Sequence, residues 1–132
     1  MGEFMPRVSA AFFMTGALCL LIGMIWGMVM AATQNFAMMP AHAHLNLLGW
    51  VTMSIYGTFY ALTRDTLVPR LAWINYACAT LGLAIMIPTL ATFLATGNAS
   101  LEPVIAVGSL LSVIALLTFA ISAFRELKRV RA

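Results

Sequence analysis

Four long apolar stretches constrain the fold of this chain more than any other feature of its sequence. They cover about residues 9–32, 41–63, 71–95 and 103–124, and a helix needs about 20 apolar residues to cross the hydrocarbon core of a bilayer. Lipid cannot satisfy the open edge of a sheet, so each stretch is predicted to be an α-helix. The connections are short, and the sequence therefore predicts a single all-α domain over 1–132 with four transmembrane helices.

The scarcity of charged residues decides which solvent surrounds these helices. Asp, Glu, Lys and Arg make up 8% of the chain, against about 25% in a typical soluble domain, and the mean hydropathy is +0.99. A surface this poor in polar groups must face a lipid bilayer. The composition excludes a nucleic-acid binder, a disordered chain and an ordinary cytosolic enzyme.

The basic residues predict how the helices are oriented. All of them lie at one end of the predicted helices, and the loops of about residues 33–40 and 96–102 carry none. The positive-inside rule puts the basic end in the cytoplasm with both termini, which predicts a protein of the cell inner membrane in contact with anionic lipids. The residues concerned are Arg7, Arg64, Arg70, Arg125, Lys128, Arg129 and Arg131.

The first apolar stretch is expected to be a retained and closely packed helix. It exceeds the core of about 7–15 residues that a cleaved signal peptide has. Gly23 and Gly27 form a small-xxx-small pattern within it, which lets another helix approach closely. The pattern predicts a packing face, either inside the chain or between chains. Cys19 and Cys78 also fall within predicted spans and are expected to pack as small apolar residues.

The two histidines are the main candidates for a functional site. His42 and His44 are the only histidines of the chain and lie at the start of the second apolar stretch, near its outer, periplasmic end. An ionisable residue inside a membrane span is costly, and such residues usually serve a function. One interfacial histidine could simply contact lipid headgroups, but two together favour a functional role.

The spacing of the histidines predicts two separate sites. A helix turns by about 100° per residue, so side chains two positions apart diverge by about 200°. His42 and His44 are therefore expected on opposite faces, where they cannot bind one metal ion together. Metal-binding pairs on a helix are spaced four residues apart instead.

The residues around the histidines predict a site for a flat, largely apolar ligand. The face of His42 carries glycines that leave space and side chains that offer polar groups, whereas the face of His44 is aliphatic. Imidazole is a common axial ligand of haem iron, and a porphyrin has an apolar body with polar propionates. We therefore predict haem b as the cofactor, with His42 and His44 each as an axial ligand of a haem iron. The other predicted cofactor-binding residues are Asn46, Gly49, Trp50, Met53 and Tyr56.

A short motif in the second stretch resembles part of a known family. The segment Ala41–Leu45 has the sequence AHAHL, and Gly49 follows it in an aromatic-rich stretch. It resembles the tenth helix of the catalytic subunit of haem-copper oxidases, most closely that of the nitric oxide reductase branch, over about a sixth of the chain. In that family the first histidine binds a high-spin haem and the second binds a low-spin haem on the opposite face. The resemblance implies these roles for His42 and His44.

The resemblance also implies an assembly. The family's catalytic subunit has twelve spans in three arcs of four, so three copies of a four-span chain would rebuild its ring. In such a homotrimer, His44 of one subunit would face His42 of the next, and each interface would hold one bis-histidine haem. A dimer, or a methionine as the second ligand, stays open. The expected role is electron transfer, with a quinol or a redox protein as partner.

The chain also departs from the family pattern. The family's copper site needs further histidines, and this chain has none beyond the two. Bis-histidine ligation leaves no open position on the iron, which argues against copper-dependent oxygen reduction; whether the chain is an oxidoreductase or only an electron carrier stays open. The alternatives are a copper or zinc protein that uses Met38 and Met39 beside the histidines, and a non-catalytic assembly subunit.

Overall fold

The computed structural model describes residues 4–130, and all regular structure in that range is helical. The prediction of an all-α fold is therefore confirmed for the described residues, and Arg131 lies outside them. The long helices are α1 (Arg7–Thr33), α4 (Pro69–Thr96) and α5 (Glu102–Val130). Between α1 and α4 the chain forms α2 (Met39–His44), a π-helix (Leu45–Thr52) and α3 (Met53–Leu62). These last three segments follow one another without a break, and we call them the second rod.

Three helices are long and apolar enough to cross a membrane: α1, α4, and α5 with the short turn before it. The helix predicted over about residues 41–63 is present as the second rod, but it is not α-helical throughout, because its middle segment Leu45–Thr52 is a π-helix. In a π-helix, each backbone carbonyl accepts from the N–H group five residues later, so the turns are wider than those of an α-helix. There the Thr52 hydroxyl donates to the Leu47 carbonyl over 2.8 Å.

Residues suited to turns end the long helices. Gln34 (φ 53°) follows the last residue of α1, and Gly97 (φ 67°) follows the last residue of α4; both have the left-handed conformation that ends many helices. Glycine adopts this conformation without steric strain. Pro69 begins α4, where a missing N–H group leaves no helical hydrogen bond unmade. Short connections of this kind make each helical rod antiparallel to the one before it.

The helices pack as two pairs. α1 lies against the second rod, and α4 lies against α5. α4 also contacts α1 and the π-helix and so joins the pairs, whereas α5 makes little backbone contact with the second rod. The gap between the second rod and α5, with α4 behind it, is called the lateral groove. Its walls run from His44 to Leu62 on the second rod and from Ser109 to Phe119 on α5.

The core is aromatic and lies between α1, α3 and α4. Phe12 is fully buried, and its ring centroid lies 5.6, 5.9 and 5.1 Å from those of Tyr56, Tyr60 and Tyr76. Asn75 is also fully buried and donates its Nδ2–H to the Tyr60 hydroxyl over 3.1 Å. Outside this core, large apolar side chains are exposed on every rod, as contact with lipid tails requires.

A row of small residues brings α1 close to the second rod. A Cβ added to Gly23 would overlap the Asn46 amide, and one added to Gly49 would lie 2.7 Å from Cys19 Cβ. Gly23 and Gly27 of α1 and Gly49 of the π-helix therefore form one contact, which we call the glycine seam. The packing face that the sequence left unassigned lies inside the chain. Cys19 packs in the seam as a small apolar residue, as predicted.

The substitution Gly49→Ala tests the glycine seam. The added methyl group would lie 2.7 Å from Cys19 Cβ and 3.1 Å from Leu83 Cδ2, so the helices must separate. We expect the free energy of unfolding in detergent to fall by about 1–3 kcal/mol, measured by denaturant titration. Gly16→Ala is the matched control, because its methyl group would come no closer than 3.3 Å to a neighbour. A Gly49→Ala variant as stable as the wild type would show that the seam is not tightly packed.

Candidate functional site

The two histidine side chains lie on opposite sides of α2, as their two-residue spacing requires. His42 is half-buried and faces α1, where a Cβ added to Gly27 would lie 3.1 Å from its Cε1. His44 is exposed and faces the lateral groove, across from Met86 of α4 and Ser109 of α5. The two rings therefore belong to different environments, and no single ion within one chain can contact both.

The ring of His44 has one nitrogen bound within the chain and one nitrogen free. Its Nδ1 lies 2.7 Å from the carbonyl oxygen of Pro40, one helical turn earlier. A carbonyl oxygen only accepts, so Nδ1 donates and carries the proton of the neutral ring. Nε2 then keeps its lone pair, and no side chain or backbone group of the described residues forms a hydrogen bond with it. This is the state in which an imidazole binds a metal or a haem iron.

A cavity of about 400 Å³ lies beside His44 at the end of the lateral groove nearest α2. That volume falls in the range of about 300–1,000 Å³ that small-molecule sites occupy. Its walls are mainly apolar, with Leu47 and Leu48 of the second rod facing Met86 of α4. Two serines add polar atoms, but each donates its hydroxyl proton to a carbonyl of its own helix: Ser109 to Ile105 over 3.0 Å and Ser112 to Gly108 over 3.1 Å.

The lateral groove continues beyond this cavity toward the other end of the rods. It narrows to about 20 Å³ where Thr52 and Tyr56 face α4 and α5. It widens again into a cavity of about 410 Å³ lined mainly by Ile55, Phe59 and Phe119. The narrow part thus separates the two cavities, and His44, the only exposed imidazole of the described residues, lines the first of them.

His42 is held by groups of its own chain. The Asn46 side chain donates from Nδ2 to His42 Nε2 over 3.1 Å, and the same nitrogen lies 3.5 Å from Nδ1. The Trp26 ring meets the imidazole edge-on at 6.4 Å, and Gly27 lies against its Cε1 edge. The Oδ1 atom of Asn46 is buried above Gly23 and has no hydrogen-bond partner. His42 and Asn46 are therefore the pair of predicted site residues that the fold brings together.

The other predicted cofactor residues lie against the rest of the chain: Gly49, Trp50, Met53 and Tyr56. Three of them face α1, since a Cβ added to Gly16 would lie 3.3 Å from the Gly49 oxygen, 3.4 Å from the Trp50 ring and 3.5 Å from Met53 Cβ. Tyr56 is buried in the aromatic core and also borders the narrow part of the groove. We expected a flat ligand along this face, but α1 fills that space in the folded chain because the seam glycines allow its close approach.

Several residues of the His44 site were not predicted from the sequence. Pro40 stands four residues before His44, and that spacing alone could have indicated a backbone acceptor for Nδ1. Met86 and Ser109 come from α4 and α5, and no local pattern points to them. Met38 and Met39 lie at the start of α2 in a half-buried and an exposed position.

A closed metal-ion site is not formed within the described part of one chain. Residues 4–130 contain no group of three or more His, Cys, Asp and Glu side chains close enough to hold an ion. Structural zinc sites use four protein ligands and catalytic ones use three.

Comparisons with family models, with curated proteins and with solved structures found no match to this chain. The function of this chain is therefore inferred from the geometry of the two histidines and of the lateral groove.

The protonation of His44 can be measured directly. We expect 15N-labelled histidine in the detergent-solubilised protein to show the proton of neutral His44 on Nδ1, because the Pro40 carbonyl accepts it. Long-range 1H–15N NMR correlations report which ring nitrogen carries the proton, and the His42→Gln variant assigns the signals. A proton on Nε2 of His44 would contradict the site described above.

Proposed function

We propose that this chain is a membrane-bound b-type haem protein that carries electrons, with His44 and His42 as axial ligands at interfaces between copies of the chain. The observation that carries the proposal is the state of His44. Its Nδ1 is fixed by the Pro40 carbonyl at 2.7 Å, its Nε2 forms no hydrogen bond with the described residues, and its side chain lines an apolar cavity of about 400 Å³. A backbone acceptor on the second nitrogen is the arrangement that orients histidine ligands of metals and makes them more basic.

The chemistry of the cavity suits the body of a haem. Leu47, Leu48 and Met86 offer apolar contacts to a flat ring, and the described lining includes no charged side chain that would need burial beside it. The cavity lies at the outer end of the second rod, so polar edge groups of a ligand could reach the membrane surface, where Gln34 and Asn35 are exposed. When bound, the haem supplies a one-electron iron couple, and the chain's residues hold and orient it.

The opposed histidines favour an oligomer as the functional unit. One chain presents one open imidazole to the lateral groove, and His42 lies on the far side of α2. A second axial histidine must therefore come from another copy. The likeness of the AHAHL segment to the haem-copper oxidase helix supports a ring of three copies, in which each interface pairs His44 of one subunit with His42 of the next. A quinol or a redox protein would be the electron donor.

The distribution of charge supports the proposed location. The described basic residues lie near the ends of helices opposite to α2, at Arg7, at the turn of Arg64 and Arg70, and at the end of α5. We propose that this end is cytoplasmic, that both termini lie there, and that the histidines lie near the periplasmic face of an inner membrane. Contact with anionic lipid headgroups would follow from the same charges.

An absorption spectrum tests the proposal. Protein expressed with ample haem should show a Soret band and sharp α and β bands on reduction, as bis-histidine haem does. His44→Ala should lose the haem because it removes the open ligand. His42→Ala should lose the sharp low-spin bands because the second ligand is gone.

The variant Asn98→Ala is a suitable control, since Asn98 caps the turn before α5 through its own bond to Ser100 N–H and takes no part in the site. Colourless protein under these conditions would overturn the haem proposal. Metal analysis of that protein would then test whether copper or zinc binds at His44 instead, and a metal-free result would favour an assembly subunit.

A further inference from the structure

The two histidines differ in what their ring nitrogens contact, and one side chain accounts for most of that difference. His44 Nε2 forms no hydrogen bond with the described residues, whereas His42 Nε2 accepts from the Asn46 amide nitrogen over 3.1 Å; the same nitrogen lies 3.5 Å from His42 Nδ1. A donor placed on a ring nitrogen occupies the lone pair that a metal or an electrophile would use. The two histidines therefore differ in the availability of a ring nitrogen as well as in exposure to solvent.

Asn46 occupies its position because α1 leaves a space for it. Its amide lies above Gly23, where any Cβ would overlap it. The space accommodates the side chain but offers no donor to Oδ1, which is buried without a hydrogen-bond partner. A buried acceptor without a partner is unfavourable, so the amide is not held by bonds of its own. What fixes it is the fit against Gly23 and the hydrogen bond that it donates to His42.

We infer that Asn46 is a positioning residue that keeps His42 from acting as a ligand in a single folded chain. The inference rests on the proposed function only where the ligand is haem. The restraint on His42 follows from the contacts of Asn46 with His42 and Gly23 within one chain. His44 is then the first ligand that the chain presents. His42 becomes a ligand only when Asn46 turns away from it.

This restraint gives the assembly an order. An isolated chain with two open imidazoles could hold a separate ligand on each, and the two subunits of an interface would then compete for the same ligand. With His42 restrained, a ligand binds first at His44 and recruits His42 of the neighbour only at the completed interface. Asn46 thereby links subunit contact to completion of the ligand set.

Chemical modification of the two histidines in the apo protein tests the inference. Diethyl pyrocarbonate reacts with an unprotonated imidazole nitrogen, and mass spectrometry of peptides gives separate rates for His42 and His44. In the wild-type protein in detergent, His44 should react faster. In Asn46→Ala, the rate of His42 relative to His44 should rise by about 3- to 10-fold, the factor that the loss of one hydrogen bond corresponds to.

Two further variants keep this result interpretable. Gly23→Ala retains Asn46 but displaces its amide from the opposite side, since the new Cβ would overlap it, and it should also raise the His42 rate. Asn98→Ala removes an amide that forms no hydrogen bond with either histidine and should leave the ratio unchanged. Loosening of the contact with α1 would by itself expose the half-buried His42 more than the exposed His44. Thermal unfolding and the exposure of the other α1 contacts must therefore be unchanged in each variant before the ratio is compared.

The outcomes separate the two proposals. If His42 reacts as fast as His44 in the wild type, or if Asn46→Ala leaves the ratio unchanged while folded, the inference about Asn46 is overturned, whatever the haem spectrum shows. If the ratio rises as expected in a protein that binds no haem, the restraint stands and the haem proposal fails. In haem-loaded protein, the same substitution should raise the low-spin fraction of haem in dilute detergent.

Discussion

The close approach of α1 to the second rod is the contact on which the rest of the structure depends. Glycines on both helices remove the side-chain bulk that would hold them apart, and Gly23 and Gly49 leave no room for a methyl group. Lipid tails are as apolar as the helix surfaces, so association in a membrane comes from this kind of tight packing and from hydrogen bonds between helices. Through the glycine seam, one face of the second rod packs against α1, and His42 lies in that contact.

The opposite face of the second rod remains open as a consequence. α4 packs mainly against α5, and its backbone contacts with the second rod lie largely along α2 and the π-helix. One side of the lateral groove therefore stays uncovered. His44 stands at one end of that groove with its Nδ1 fixed by Pro40. A helix with one face filled and the other face open thus places one histidine in a packed contact and leaves the other exposed.

Much of this arrangement could be predicted from the sequence, and the limits have physical reasons. Four apolar stretches predict helices because lipid admits few alternatives, and the spacing of His42 and His44 predicts their divergence because helical rotation is fixed. The π-helix was missed because a one-residue widening leaves no clear mark on an apolar pattern. The pairing of Asn46 with Gly23, and of His44 with Met86, depends on how separate helices pack, which local periodicity does not encode.

Each ligand site is proposed to be completed by two chains, and mixed oligomers test that arrangement. Chains carrying His42→Ala keep His44, and chains carrying His44→Ala keep His42, so neither can form a bis-histidine site alone. Co-expressed with different affinity tags and purified through both, they should regain the sharp reduced α band at one of the three interfaces of a mixed ring. Mixed oligomers that form but show no low-spin haem, while the wild type does, would contradict the account.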